Sequence, residues 1–273
     1  EGDDYLFGDL ASISFDASSD ALSAGVFSTT HETAGAGESG DDLFGGTEDD
    51  VLVGGADTDY LYGMAGHDLI LGDFGEITRQ AVQLADGPGV ALASARTRAY
   101  EADDVEAATA LAGALDWIYG DDQNGPVGHD VLLGGQGGDE IFGLDGNDVL
   151  LGDHGEVIYN AAGIEPHQTV VTGLHSQFPS EGDIDNLQAG PGADVVVGGR
   201  SADIVVGDIG NDVLVGDFAE MTFRGTTMAA FFLDTLNTLQ DEEFVGHGAG
   251  ETLFGDAGDD VLVGAHGRDT LMG

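Results

Sequence analysis

Over much of its length the chain alternates a short apolar run with a run rich in Gly and Asp, and the pair recurs every nine residues. Residues 134–152 show the period most plainly. Gly-Gly-Gln-Gly-Gly-Asp-Glu-Ile-Phe is followed at once by Gly-Leu-Asp-Gly-Asn-Asp-Val-Leu-Leu and another Gly. Numbered from the first Gly, position 6 is Asp139 and Asp148, and position 8 is Ile141 and Leu150. The same register puts position 6 at Asp4, Asp41, Asp50, Asp59, Asp68, Asp116, Asp130, Asp139, Asp148, Asp185, Asp194, Asp203, Asp212, Glu251, Asp260 and Asp269. Fifteen of these sixteen are Asp, and position 8 is Leu, Ile or Val in every copy, from Leu6, Leu43 and Leu52 to Leu262 and Leu271. Two columns held in phase this long are a structural repeat, and a fixed short period predicts one elongated unit over 1–273 rather than two globular domains.

Four longer stretches interrupt the repeat, at approximately 10–35, 74–111, 154–182 and 218–247. They follow the dipeptides Gly8-Asp9, Gly72-Asp73, Gly152-Asp153 and Gly216-Asp217 and open alike, as Leu-Ala-Ser-Ile-Ser, Phe-Gly-Glu-Ile-Thr, His-Gly-Glu-Val-Ile and Phe-Ala-Glu-Met-Thr. A longer repeat therefore overlies the nine-residue one. Alternation in Glu76-Ile77-Thr78-Arg79 and Val170-Val171-Thr172, with turn formers such as Asp86-Gly87-Pro88-Gly89 between strands, predicts a β-hairpin in each insertion. Residues 103–115 are Ala-rich and read equally as a short helix, and residues 228–239 share the ambiguity.

The pattern G-G-x-G-x-D-x-U-x, with U a large aliphatic residue, resembles the haemolysin-type calcium-binding repeats of RTX proteins, which wind into a parallel β-roll. The resemblance covers roughly half of the chain. It implies an all-β fold, a calcium-bound parallel β-roll solenoid with four β-hairpin-like insertions leaving from one edge, and Ca2+ as the bound cofactor. Calcium requires six to eight oxygens, more than one turn offers, so sites are expected between a copy and the copy two further on, as between Asp130 and Asp148. Expected ligands are Asp4, Asp50, Asp68, Asp130, Asp148, Asp194, Asp212 and Asp260 from the odd copies, and Asp59, Asp139, Asp203 and Asp269 from the even ones. At the insertion roots, Asp9, Asp73, Asp153 and Asp217 could either add ligands or cap turns.

If two nine-residue units make one turn, odd and even copies occupy opposite edges and faces. The insertions follow copies 1, 5, 9 and 13, so all leave from one edge, two turns apart. At about 4.8 Å per turn that spacing is the width of two paired strands, and a hairpin from each insertion fits a second ladder beside the roll. The faces differ too. Odd copies flank position 8 with Val51 and Val53, Leu69 and Leu71, Val131 and Leu133, Val149 and Leu151, Val195 and Val197, and Val213 and Val215, whereas the even face includes Asp42, Tyr60, Trp117, Glu140, Asn186 and Gln188. So long an apolar outer face is expected to be covered, by the hairpins or by a neighbouring roll. Position 4 of the odd copies reads Gly2, Glu48, Gly66, Gly128, Gly146, Gly192, Gly210 and Gly258, against two Gly in the even copies. A backbone shape that Gly adopts without strain would make the odd loops the better calcium loops.

Charge narrows the partners. With 52 acidic residues against 6 basic ones, the formal charge is −46, which repels nucleic acid and anionic membranes and calls for a cation. The metal-free chain is expected to be a self-repelling acidic polymer that folds only with calcium. Extracellular modules bind calcium at about 10⁻⁴ to 10⁻³ M, so the chain is expected to fold after secretion, at the cell surface or beyond it. Cys is absent, which removes disulfides and thiolate metal sites. No apolar run long enough to span a membrane is present, so membrane insertion is not expected. The register at the two ends, with Asp4 and Leu6 already at positions 6 and 8 and Gly273 at position 1, leads us to expect an excerpt of a longer array.

No enzyme is expected. His31-Glu32-Thr33-Ala34-Gly35 fails the zinc-protease pattern at its fifth residue, Gly-x-Ser-x-Gly is missing, and the His residues read as solvated surface groups. Trp117 and Tyr119 suggest strand packing more than a sugar platform. An ice-binding row is contradicted by position 3, which reads Thr47, Ala56, Ala65, Gln136, Asp145, Arg200 and Ile209. The expectation is a calcium-dependent structural or adhesive repeat module of a large secreted surface protein, filament or surface layer, self-associating and, by the resemblance, exported by type I secretion. The alternative is the calcium-folded C-terminal region of a secreted enzyme or toxin whose active domain lies elsewhere.

Overall fold

The computed structural model describes residues 4–8, 11–15, 25–29, 40–84, 87–97, 115–122, 127–160, 170–225, 231–239 and 248–273. Among these residues the fold is all-β, in three eight-stranded sheets.

Odd copies build the first sheet, in the order Tyr5–Phe7, Val51–Gly55, Leu69–Asp73, Val131–Leu133, Val149–Leu151, Val195–Val197, Val213–Val215 and Val261–Val263. Even copies build the second, from Asp42–Thr47 through Tyr60–Ala65, Trp117–Asp121, Glu140–Phe142, Asn186–Gln188, Ile204–Val206 and Thr252–Phe254 to Thr270–Met272. Both are parallel throughout and in strict register: Leu132 lies between Ile70 and Leu150, and Ile141 between Ile118 and Leu187. Because side chains alternate along a strand, position 8 of both sheets points into the space between them. There Leu52, Leu61, Ile70, Ile118, Leu132, Ile141, Leu150, Leu187, Val196, Val205, Leu214 and Leu253 form one core with no exposed surface.

The third sheet is made by the insertions. Its strands are Ala11–Phe15, Gly25–Thr29, Gly75–Leu84, Gly87–Thr97, Gly155–Asn160, Val170–Ser176, Ala219–Gly225 and Phe231–Thr238, all antiparallel and adjacent in chain order. Each insertion supplies one hairpin, and the hairpins pair with one another: Phe27 faces Ile77, Val157 faces Ala95, and Leu174 faces Met221. Ile77, Val157 and Met221 point onto the outer face of the odd sheet, where they are buried with Val51, Val53, Leu69, Leu71, Val149, Leu151 and Val215 and against Val213. A sheet covered on both faces needs apolar residues at every position, which is why odd copies read as unbroken apolar triplets such as Val-Leu-Val, Leu-Ile-Leu or Val-Leu-Leu. The even sheet is covered on one face only and alternates, as in Glu140-Ile141-Phe142. Each Val or Leu buried under the hairpins contributes about 1.5 to 3 kcal/mol before chain entropy is charged, so the third layer is part of the fold.

Of three local readings, one changes, one is resolved and one falls mostly outside the described residues. Gly87, Pro88 and Gly89 are not a turn; they pair with Leu84, Gln83 and Val82 inside the hairpin. Residues 231–238 resolve their ambiguity as strand. Most of the Ala-rich stretch, residues 103–114, lies outside the described residues.

Candidate metal centres

The loops joining the two roll sheets carry the position-6 column, and the backbone turns that column into a ladder. On the odd edge, the N–H of Asp4 donates to Oδ1 of Asp50 (2.7 Å), Asp50 to Asp68 (2.8 Å), Asp68 to Asp130 (2.8 Å), Asp130 to Asp148 (2.8 Å), Asp148 to Asp194 (2.7 Å), Asp194 to Asp212 (3.0 Å) and Asp212 to Asp260 (3.1 Å). The even edge repeats this through Asp41, Asp59, Asp116, Asp139, Asp185 and Asp203, at 2.7 to 2.9 Å. Each partner is the copy two further on, as the turn count requires. Asp269 lies in the last even loop, beyond Glu251.

One oxygen of each carboxylate is thus fixed, and the other is aimed inward. Among the described residues, Oδ2 of Asp68, Asp116, Asp130, Asp139, Asp148, Asp185, Asp194, Asp203 and Asp212 is buried without a hydrogen-bond partner. These oxygens share their space with backbone carbonyls of the next turn. A Cβ added to Gly143 would lie 2.5 Å from the Ala189 carbonyl oxygen and 2.6 Å from Asp148 Oδ2, and one on Gly45 would lie 2.7 Å from both Gly63 O and Asp50 Oδ2. Position 1 is therefore Gly because a carboxylate and a carbonyl oxygen converge on its Cα.

A buried anion without a countercharge is costly, and the titration shows it. Burial first, then neighbouring carboxylates, raises Asp68 to about 7, Asp148 to about 8, Asp194 to about 9 and Asp116 to about 10. Burial also lifts Asp139 to about 7 and Asp203 to about 8, and Asp130 and Asp185 rise well above the usual carboxylate range. A divalent cation among these oxygens would supply the missing charge. The donor set selects the metal: among the described residues no three His, Cys, Asp or Glu side chains converge, so carboxylates must be completed by carbonyls, the oxygen-only shell that suits calcium and not zinc.

The two edges carry like Asp ladders and differ at position 4. In the odd loops position 2 is left-handed, as at Met64 (φ 83°), Leu144 (φ 72°) and Asp208 (φ 75°), and position 4 is left-handed as well at Glu48 (φ 80°) and Gly66 (φ 151°). At Gly192, Gly210 and Gly258 an added Cβ would collide with the carbonyl oxygen of Gly146, Gly192 and Gly210, one turn back. Glycine is needed there for close approach between turns. On the even edge position 4 is left-handed even without Gly, at Asp57 (φ 70°) and Ser201 (φ 80°).

The Asp residues at the insertion roots are buried, and each caps a loop one turn on. Asp73 accepts from the N–H of Gln136, Asp153 from that of Arg200 and Asp217 from that of His266. Asp9 lies outside the described residues.

Two aromatic readings are also settled by geometry. Phe44, Tyr62, Tyr119 and Phe142 stack in a row, 4.9 to 5.0 Å apart and within 6° of parallel, so Tyr119 has a neighbour on each face and cannot stack a sugar. Trp117 stacks on Tyr60 at 6.3 Å. His154 departs from the surface expectation: it is buried at the root of the third hairpin, with Nδ1 3.1 Å from Thr97 Oγ1, and burial lowers its pKa to about 4. Its place directly after Gly152-Asp153, where the chain leaves the roll for the hairpin, was the available signal.

A parallel roll whose turns stack acidic loops into two carboxylate columns is a solenoid suited to hold metal ions between its turns. The family model of the RTX calcium-binding nonapeptide repeat matches the chain in four copies, at residues 36–70, 127–156, 181–214 and 245–273. These repeats bind calcium, and the chain is a calcium-binding repeat module. Comparison with curated proteins and with solved structures returned no match. Among the described residues no helix is long and apolar enough to cross a membrane.

Proposed function

We propose that this module is structural or adhesive: a calcium-stiffened segment of a large extracellular surface protein, filament or layer, exported by type I secretion and without a catalytic site of its own. The observation that carries the reading is that one broad face of the roll is covered and its counterpart is open. Hairpins bury the odd face, whereas the even face presents Phe44 (54% exposed), Ile204 (45%) and Tyr60 (40%) on a regular sheet. An open face on which aromatic and aliphatic residues recur among polar ones suits lateral contact with another copy or with a surface. The hairpin sheet offers a second broad surface, with Ile158, Glu220 and Thr222 turned outward.

Electron microscopy and sedimentation of the calcium-loaded protein test the reading. Fibres, sheets or discrete oligomers that dissolve when Phe44 and Ile204 are changed to Ser support it. A protein that stays monomeric at every calcium concentration that folds it rejects self-association, and leaves the module as a folding element for a neighbouring domain.

A further inference from the structure

Position 2 of the even loops alternates strictly along the chain. Uninterrupted loops carry Gly55, Gly135, Gly199 and Ala265, all at positive φ, whereas every insertion-bearing loop carries Asp: Asp9, Asp73, Asp153 and Asp217. Turn capping accounts for half of this conservation of type along the chain, since Oδ2 of Asp153 and of Asp217 holds a neighbouring N–H. It does not account for the other oxygen. Oδ1 of Asp153 and Oδ1 of Asp217 are buried and lack a hydrogen-bond partner among the described residues, on side chains that are 1% and 0% exposed.

Each of these loops holds a second acidic side chain and a converging carbonyl. Asp153 is so close to Gly182 that an added Cβ there would run into its carboxylate, and Asp217 stands in the same relation to Gly248. Asp185, at position 6 of the Asp153 loop, places its own unpartnered Oδ2 against Gly152, where the Gly198 carbonyl oxygen also converges. In the Asp217 loop, Glu251 and the Gly264 carbonyl oxygen meet in the same way at Gly216. Charge supports a ligand too. Asp203 and Asp139 act on Asp153 as like charges, and Arg200 opposes them; its N–H takes Oδ2 and its guanidinium is bonded to the Gly182 carbonyl at 2.6 Å. Near Asp217, His266 lies on the Oδ2 side, 3.8 Å away. Among the described residues Asp153 Oδ1 has no hydrogen-bond donor, whereas at Asp217 the Ala249 N–H also bears on the carboxylate.

We propose that Asp153 with Asp185, and Asp217 with Glu251, form a second class of calcium site at the roots of the third and fourth hairpins, completed by backbone carbonyls. It differs from the repeat sites in using a carboxylate outside the nine-residue column, and it gives the metal a second task. A single residue separates Asp153 from the strand Gly155–Asn160, and a single residue separates Asp217 from Ala219–Gly225. The ion therefore fixes the point where the chain leaves the roll, and docking of the covering layer becomes calcium-dependent in its own right.

The test counts ions and watches the hairpin. Asp153→Asn keeps the shape and an oxygen for the Arg200 N–H while removing the charge. Equilibrium dialysis of the intact chain against labelled calcium should show about one ion fewer per molecule for Asp153→Asn and about two fewer for the pair Asp153→Asn and Asp217→Asn. Hydrogen exchange in Gly155–Asn160 should rise about tenfold or more in Asp153→Asn, with Val195–Val197 unchanged. An unchanged ion count with unchanged exchange overturns the proposal and leaves Asp153 as a cap. If the variants do not fold, a calcium-loaded crystal of the wild type decides. Metal density about 2.3 to 2.6 Å from Asp153 Oδ1 upholds the second class, and ions confined to the position-6 columns overturn it. Neither result bears on self-association, so this proposal and the adhesive reading fail separately.

Discussion

Val157 and Ile158 are neighbours on one hairpin strand and should behave oppositely when truncated. Val157 is fully buried between the hairpin sheet and the odd sheet, in register with Ala95 and Leu174, whereas Ile158 is 44% exposed. Changing Val157 to Ala removes two methyl groups from a packed layer. At about 0.8 kcal/mol per carbon the transfer loss is about 1.6 kcal/mol, and the cavity left above Val149 and Leu151 brings the cost to about 2 kcal/mol. At about 1.4 kcal/mol per factor of ten, hairpin opening becomes roughly thirtyfold more frequent. Hydrogen exchange of Gly155–Asn160 and Val170–Ser176 in saturating calcium reads this directly, because amides there exchange through opening of the layer. Ile158→Ala should change exchange by a factor of about two, within the roughly 0.5 kcal/mol typical of surface substitutions. Equal effects from the two substitutions, or hairpin protection indifferent to Val157, would refute the conclusion that the hairpins are an integral covering layer.

Removal of calcium by a chelator at neutral pH should abolish most of the far-ultraviolet β signal, and magnesium should restore it poorly because it demands a smaller octahedral shell; full β signal in chelator would contradict the coupling of folding to metal. Acid should act in the opposite sense on the metal-free chain. Asp148 and Asp203 are raised to about 8 in the fold from about 3.9 in the unfolded chain, so their contribution to metal-free stability is fully present below about pH 3.9 and lost as pH rises through about 8. Circular dichroism in chelator should therefore gain β signal from pH 8 down to 4, and a flat profile would count against buried carboxylates. Gly192→Ala should weaken calcium binding at least tenfold, because its Cβ meets the Gly146 carbonyl, while Ser201→Ala should leave it within about twofold; calorimetry reversing that order would remove the close-approach argument. The Gly-rich odd edge further leads us to propose that Asp148→Ala weakens calcium binding more than Asp203→Ala, and equal losses in the same titration would show that the matching ladders, not the position-4 glycines, set affinity.

What was legible in the sequence is what repeats. Position 8 gave the interior, the unbroken aliphatic triplets of odd copies gave a sheet covered twice, and the spacing of Gly-Asp dipeptides placed all four hairpins on one side. Legibility ended where contacts join segments far apart in the chain. Gly192 looks like any turn glycine, and only the stack shows that its Cα rests on the Gly146 carbonyl, 46 residues earlier. Asp153 reads as a turn former because its partner, the N–H of Arg200, lies 47 residues on. Tyr119 reads as a strand-packing aromatic, but only the stack shows that Tyr62 and Phe142 lie on its two faces. Gly87-Pro88-Gly89 misled because local propensity favours a turn, whereas pairing with Val82–Leu84 across the hairpin holds an extended strand.

The architecture rests on a match of two lengths. Each insertion occurs once per four copies, which is two turns of the roll and two strands of the odd sheet, and each insertion delivers two strands of its own. Parallel and antiparallel neighbours share nearly the same spacing, about 4.7 to 4.9 Å, so the eight strands of the hairpin sheet keep step with the eight of the odd sheet without accumulating strain. An insertion every turn would crowd four strands over two, and one every third turn would leave a strand's width of Val and Leu exposed. The match also explains why the Asp at position 2 recurs only in every second even loop. It marks the places where the chain must leave the roll, and in the loops between them a small residue at positive φ closes the turn instead. A further four-copy unit with the same spacing would extend both ladders together, with the covering layer neither outrunning nor trailing the roll beneath it.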